Sequence, residues 1–142
     1  VVDAVAGFEY RDHVSDVTIR AWGPSIEETL TQACLGMWAL VADPCSVPLT
    51  REWTVSVCGA SLGELLVNLL NEQIFAFDSA GLVARGVEGV SVEEKGGMLE
   101  ARVAMKGCRS DELPQPPLRS FKAATFHDLQ VSPYLVEVTL DV

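Results

Sequence analysis

The sequence predicts an α+β fold, a single-domain sandwich with two amphipathic helices on one side of a largely antiparallel sheet of about seven strands. Three observations predict it. Two Ser-x-x-Glu capping boxes, at Ser25 and Ser61, each open an apolar stripe of helical period. Most of the remaining segments alternate apolar and polar residues, as half-buried antiparallel strands do. The 142 residues, 49% hydrophobic and 21% charged, suit one domain, residues 1–142, with a core of its own.

The first helix follows Ser25, with Glu28 three residues on. Ile26, Leu30, Ala33, Cys34, Met37, Trp38 and Val41 make one stripe, which ends near Asp43-Pro44. The second helix repeats the device with Ser61 and Glu64, and buries Leu62, Leu65, Leu66, Leu69, Leu70, Ile74 and Phe77. Glu64, Asn68, Asn71 and Glu72 lie opposite as a solvated face, and Gly81 is the stop.

The strands follow from period two. Val17, Ile19 and Ala21 alternate with Asp16, Thr18, Arg20 and Trp22. Glu52 to Cys58 and Leu99 to Lys106 alternate in the same way, and Gly96-Gly97 after Val92 signals a hairpin. Phe121 to Val131 and Leu135 to Val142 pair around Ser132-Pro133, and Phe8 to Arg11 opens the domain with a short strand. Gly107 to Pro117 carries three prolines without periodicity and reads as a surface loop.

Charge excludes one broad class. A net charge of −10 repels nucleic acid, whose binders gain affinity by displacing counterions from phosphate. Direct, stable binding of RNA or DNA is therefore not expected. A chain serving nucleic-acid chemistry would instead act on a basic protein partner. Simple solubility is the competing reading, and charge alone favours it.

No apolar run reaches the roughly 18 residues of a membrane span, so no membrane association is expected. No signal-peptide pattern is visible; since the chain starts at Val1 rather than Met, an upstream leader stays open. Cys34, Cys45, Cys58 and Cys108 match no zinc spacing. Reduced thiols in the cytoplasm are the expectation, with two disulfides in a secreted protein as the alternative.

The densest polar cluster is Asp12-His13-Val14-Ser15-Asp16. Asp16 falls on the polar face of its strand. At the other end, Val136, Val138, Leu140 and Val142 point one way while Glu137, Thr139 and Asp141 point the other. Two carboxylates and nearby backbone oxygens, if brought together, make a hard site for Ca²⁺, Mg²⁺ or Mn²⁺ rather than zinc or copper. The competing reading makes Asp12 and Asp16 turn and cap residues and Asp141 an exposed strand end.

Single histidines and lysines carry less. His13 reads as a ligand, a proton shuttle or a turn residue. His127 reads as a partly buried imidazole and Lys122 as an exposed strand lysine. No phosphate loop, nucleophile elbow or HExxH motif is present.

Several segments nevertheless resemble one family in order along the chain. Gly7-Phe8-Glu9-Tyr10-Arg11-Asp12-His13-Val14-Ser15-Asp16-Val17 is similar to the archease opening, (F/Y)-E-(Y/F)-x-D-H-T-A-D-V. Ser25 to Leu30 and Leu65 to Glu72 resemble that family's two helices. Phe121 to Leu129 is similar to its V-K-A-(V/I)-T-Y-H-x-(L/M) segment, and Val138-Thr139-Leu140-Asp141-Val142 to its close. The resemblance implies a non-enzymatic accessory of the RtcB-type RNA ligase of tRNA splicing and RNA repair, one that promotes ligase guanylylation and multiple turnover. It implies metal ligands at Asp16, Asp141 and Val142, usually written as a calcium site. It also places Asp12, His13 and Lys122 in functional motifs. Val14-Ser15 departs from the usual Thr-Ala, and Phe126 from the usual Tyr. A small metal-dependent hydrolase with His13 as base, and a general chaperone-like binding module, are the competing functions.

Overall fold

The computed structural model describes residues 5–142. The strands are β1 (Gly7–Asp12), β2 (Asp16–Trp22), β3 (Arg51–Gly59), β4 (Leu82–Lys95), β5 (Met98–Arg109), β6 (Ala123–Val131) and β7 (Leu135–Asp141). The helices are α1 (Ile26–Val41) and α2 (Leu62–Ala80). The seven strands form two sheets, a four-stranded one ordered β1-β2-β7-β6 and a three-stranded one ordered β3-β5-β4. Every pairing is antiparallel.

Both helices start where their capping residues dictate. Ser25 Oγ accepts from the Glu28 amide and Ser61 Oγ from the Glu64 amide, each at 3.2 Å. Glu64 reaches one residue further back than a capping box does, accepting from the Ala60 amide at 3.1 Å rather than from that of Ser61. Gly81 ends α2 in the left-handed conformation, φ 68°, which glycine adopts without steric penalty.

Each helix packs against both sheets. α1 lies on β2 and β4, and α2 on β3 and β6. The apolar stripes therefore bury against the inward residues of both sheets, among them Val17, Ile19, Val103, Val138 and Leu140, all fully buried. One continuous core results, and it is what holds the two sheets together.

Two sequence expectations change, and β4 departs from the alternation of its neighbours. β4 has no single alternating signature, because two register shifts, between Ala84 and Gly86 and between Val87 and Gly89, leave Arg85 and Glu88 unpaired. Gly107 and Cys108 belong to β5 rather than to a loop. There β5 crosses β4 so closely that a Cβ on Gly107 would meet the Val83 carbonyl oxygen at 1.9 Å. Asn71 is not on a solvated face: it docks α2 to β6 by exchanging hydrogen bonds with the backbone of Ala124.

Cys34 and Cys108 are buried, and Cys45 and Cys58 are exposed; all four thiols are free. Among the described residues, no helix is long and apolar enough to cross a membrane.

Candidate divalent-metal site

The two central strands of the four-stranded sheet bring the chain's first and last acidic motifs together. Asp16 opens β2, Asp141 closes β7, and the register sets them directly opposite each other. Period two explains their outward aim. Val17 and Leu140, the next residues inward, are fully buried, so Asp16 and Asp141 face the other way.

The backbone pairing fixes how close they come. The Val142 amide donates to the Ser15 carbonyl at 3.2 Å, which makes 15 and 142 a hydrogen-bonded rung. Antiparallel rungs alternate, so Asp16 and Asp141 form a non-hydrogen-bonded pair, whose Cα atoms lie only about 4.5 Å apart with side chains adjacent. Two further bonds brace the acidic residues. The His13 amide donates to the Asp16 carbonyl at 2.9 Å and the Lys122 amide to the Asp141 carbonyl at 2.8 Å.

Among the described residues, neither Asp16 nor Asp141 has an ion-pair partner within 4.0 Å. Asp16 is half-buried and Asp141 exposed. The donor set suits a hard cation, since it is all oxygen. It is also sparse: among the described residues, no three His, Cys, Asp or Glu side chains converge. Val142, half-buried beside Asp141, has oxygen atoms to offer from the main chain. An ion such as Ca²⁺, which takes six to eight oxygens, would have most of its positions left for water or for another molecule.

The other motif residues separate into distinct roles. Asp12 does not join the pair; its carboxylate is engaged by the Arg119 guanidinium at 3.3 Å. His13 is exposed in the β1–β2 turn. It lines a polar hollow of about 590 Å³ with Arg11, Thr18, Asp128, Gln130 and Glu137. Lys122 is exposed and precedes β6, between buried Phe121 and half-buried Ala123. His127 is exposed rather than partly buried, and its Nε2 lies 3.2 Å from the Asp128 carboxylate. The cause is a bulge. Thr125 pairs with Thr139 and Gln130 with Glu137, so four residues of β6 span what one residue of β7 spans. Asp128 turns that corner at φ 51°.

Sequence reasoning passed over the row immediately behind the acidic pair. Thr18 lies opposite Thr139, and Thr139 opposite Thr125. The Thr18 and Thr139 hydroxyls are 2.9 Å apart. The available signal was the same alternation that marked the aspartates, two residues further along each strand.

The family model described as the Archease protein family (MTH1598/TM1083) matches residues 8–142. The chain belongs to the archease family. It is 32% identical over 126 residues to "Protein archease" of Pyrococcus abyssi, covering 87% of each chain. It is 29% identical over 127 residues to "Protein archease-like" of Dictyostelium discoideum, covering 87% of this chain and 83% of that one. The solution structure of Methanobacterium thermoautotrophicum protein 1598 superposes with a TM-score of 0.77 at 26% identity, covering 96% of this chain and 99% of that one. The archease match takes in both Asp16 and Asp141, and the shared fold includes the two central strands that carry them.

Proposed function

We propose that this archease is a non-enzymatic accessory that activates an RtcB-type RNA ligase, promoting the ligase's guanylylation and its multiple turnover. In this reading Asp16, Asp141 and an oxygen of Val142 hold a divalent cation, Ca²⁺ ahead of Mg²⁺ or Mn²⁺. The observation that carries it is the Asp16–Asp141 rung. Like charges directly opposite on adjacent strands destabilise a sheet, and no basic partner relieves them among the described residues. A bound divalent ion would supply that compensation and leave coordination positions open at the surface.

The chain's own residues suit a tip presented to another protein. Asp16 and Asp141 face outward at one end of the central strands, with exposed His13 and Lys122 at the same end. The net charge of −10 favours encounter with a basic cleft and disfavours contact with RNA itself. The compartment that goes with this role is the cytoplasm, where the four thiols stay reduced.

The test is to add the protein stoichiometrically to an RtcB-type ligase and count ligation rounds per ligase molecule. The reading expects more rounds and more guanylylated ligase. Unchanged turnover would remove the activator role. Phosphate release from model esters without ligase would point to the hydrolase, and protection of unrelated unfolded proteins to the chaperone-like module.

A further inference from the structure

One turn of strand behind the acidic pair, three threonines form a row across the sheet. Thr18 of β2, Thr139 of β7 and Thr125 of β6 occupy successive positions on one rung. Thr139 is buried, and Thr18 and Thr125 are half-buried. The Thr18 and Thr139 hydroxyls meet at 2.9 Å, with either able to donate. Thr125 Oγ1 donates to the Thr139 carbonyl at 3.0 Å and accepts from the His127 amide at 3.3 Å. Residues two apart on a strand are separated by about 7 Å and share a face. The threonine row therefore underlies Asp16 and Asp141 directly.

We propose that Thr18 and Thr139, backed by Thr125, are positioning residues of the acidic pair: their hydroxyl contacts set the β2–β7 spacing at which Asp16 and Asp141 share one cation. The inference rests on the cation reading above. Its physical basis is a difference in contact distance. Two hydroxyls joined by a hydrogen bond approach to 2.9 Å, whereas two methyl groups rest at about 3.5–4.0 Å. Replacing both oxygens by methyls would lengthen this contact by roughly 1 Å or less, a shift the β2–β7 backbone ladder absorbs but one that falls just where the two like charges already favour splaying. Cation–oxygen distances tolerate little of that, since Ca²⁺ ligands fall within about 2.3–2.6 Å.

A purely structural role would instead lower the stability of the metal-free protein and leave its Ca²⁺ affinity unchanged. Exchanging both partners of a hydrogen bond for apolar groups of the same shape is nearly neutral for stability. The pair Thr18→Val/Thr139→Val should therefore leave the melting temperature of the metal-free protein nearly unchanged. Its Ca²⁺ affinity should fall about tenfold, the loss typical when groups that orient metal ligands are removed.

Calorimetric titration of Ca²⁺ into the wild type, Thr18→Val/Thr139→Val and Thr18→Ser/Thr139→Ser tests this. The expected result is weakened binding in the valine pair and wild-type binding in the serine pair, which keeps both oxygens. Should the valine pair fail to fold, Thr18→Val alone is titrated against Thr18→Ser, with the same ordering expected. Equal affinity in the wild type and the valine variant overturns the positioning role while leaving the cation site standing. No Ca²⁺ binding by the wild type overturns both.

Discussion

Asn71 of α2 and Ala124 of β6 exchange two hydrogen bonds, so that a helix side chain takes the place of a neighbouring strand. The Ala124 amide donates to Asn71 Oδ1 at 2.7 Å, and Asn71 Nδ2 donates to the Ala124 carbonyl at 3.1 Å. β6 is an edge of its sheet, and its free groups would otherwise be open to pairing with another chain. Asn68, one helical turn earlier, does half of the same for the other sheet, donating to the Cys58 carbonyl on edge strand β3 at 2.8 Å. Because Ala123 lies opposite Asp141, the Asn71 clamp also braces the strand beside the candidate site.

Asn71→Ala should therefore destabilise the fold by about 1–3 kcal/mol, the cost of leaving partly buried backbone groups without partners. Asn71→Asp keeps the acceptor for the Ala124 amide but presents a carboxylate to the Ala124 carbonyl, so it should not restore stability. Urea unfolding of the three proteins checks the ordering, and a wild-type midpoint for Asn71→Ala would refute the clamp.

Gln73 is 1% exposed. Its Oε1 accepts from Trp38 Nε1 at 2.7 Å, and its Nε2 donates to the Leu69 carbonyl at 3.1 Å. Gln73→Leu would strand the indole N–H in the core, at a cost of about 1–3 kcal/mol. Adding Trp38→Phe removes the stranded donor. In a double-mutant cycle, Trp38→Phe/Gln73→Leu should lose less stability than the two single changes summed; additive losses would show no coupling.

Tyr10 gives a pH signature. Burial pushes its phenol from 10.0 up to about 12, against a smaller downward pull from the Arg119 guanidinium. Its hydroxyl donates to the Gly36 carbonyl at 2.7 Å. The folded value lies above the unfolded one, so Tyr10's contribution is complete below pH 10 and is lost as pH rises toward about 12. Burial also raises the Cys34 thiol, to about 11, with the same sign. Melting temperature against pH should accordingly fall through this alkaline window, and less steeply in Tyr10→Phe. A parallel fall in Tyr10→Phe would remove Tyr10 as the cause.

Much of this architecture is legible in the sequence because its signals are local. Ser25 and Ser61 with their glutamates mark the helix starts to the residue, and Gly81 marks a helix end. Alternation around Asp16 and Asp141 puts both on an outward face. Their meeting is not local, since a register spanning nearly the whole chain cannot be read from either strand alone; the family resemblance supplied that expectation and the β2–β7 ladder displays it. The failures have physical causes as well. Bulges at Arg85 and Glu88 erase the period-two pattern of β4. The four-residue bulge of β6 carries His127 out to solvent. Asn71 looks like a surface polar residue until the strand edge it satisfies is in view. The division into two sheets depends on which strands pair, which alternation does not specify.

Calorimetric titration of Ca²⁺ into the wild type, Asp16→Asn and Asp141→Asn tests whether Asp16 and Asp141 together hold one divalent cation. One ion should bind the wild type, and either substitution should abolish binding while the circular dichroism spectrum and melting transition show an intact fold. Undiminished Ca²⁺ binding in either variant, or none in the wild type, would contradict the claim.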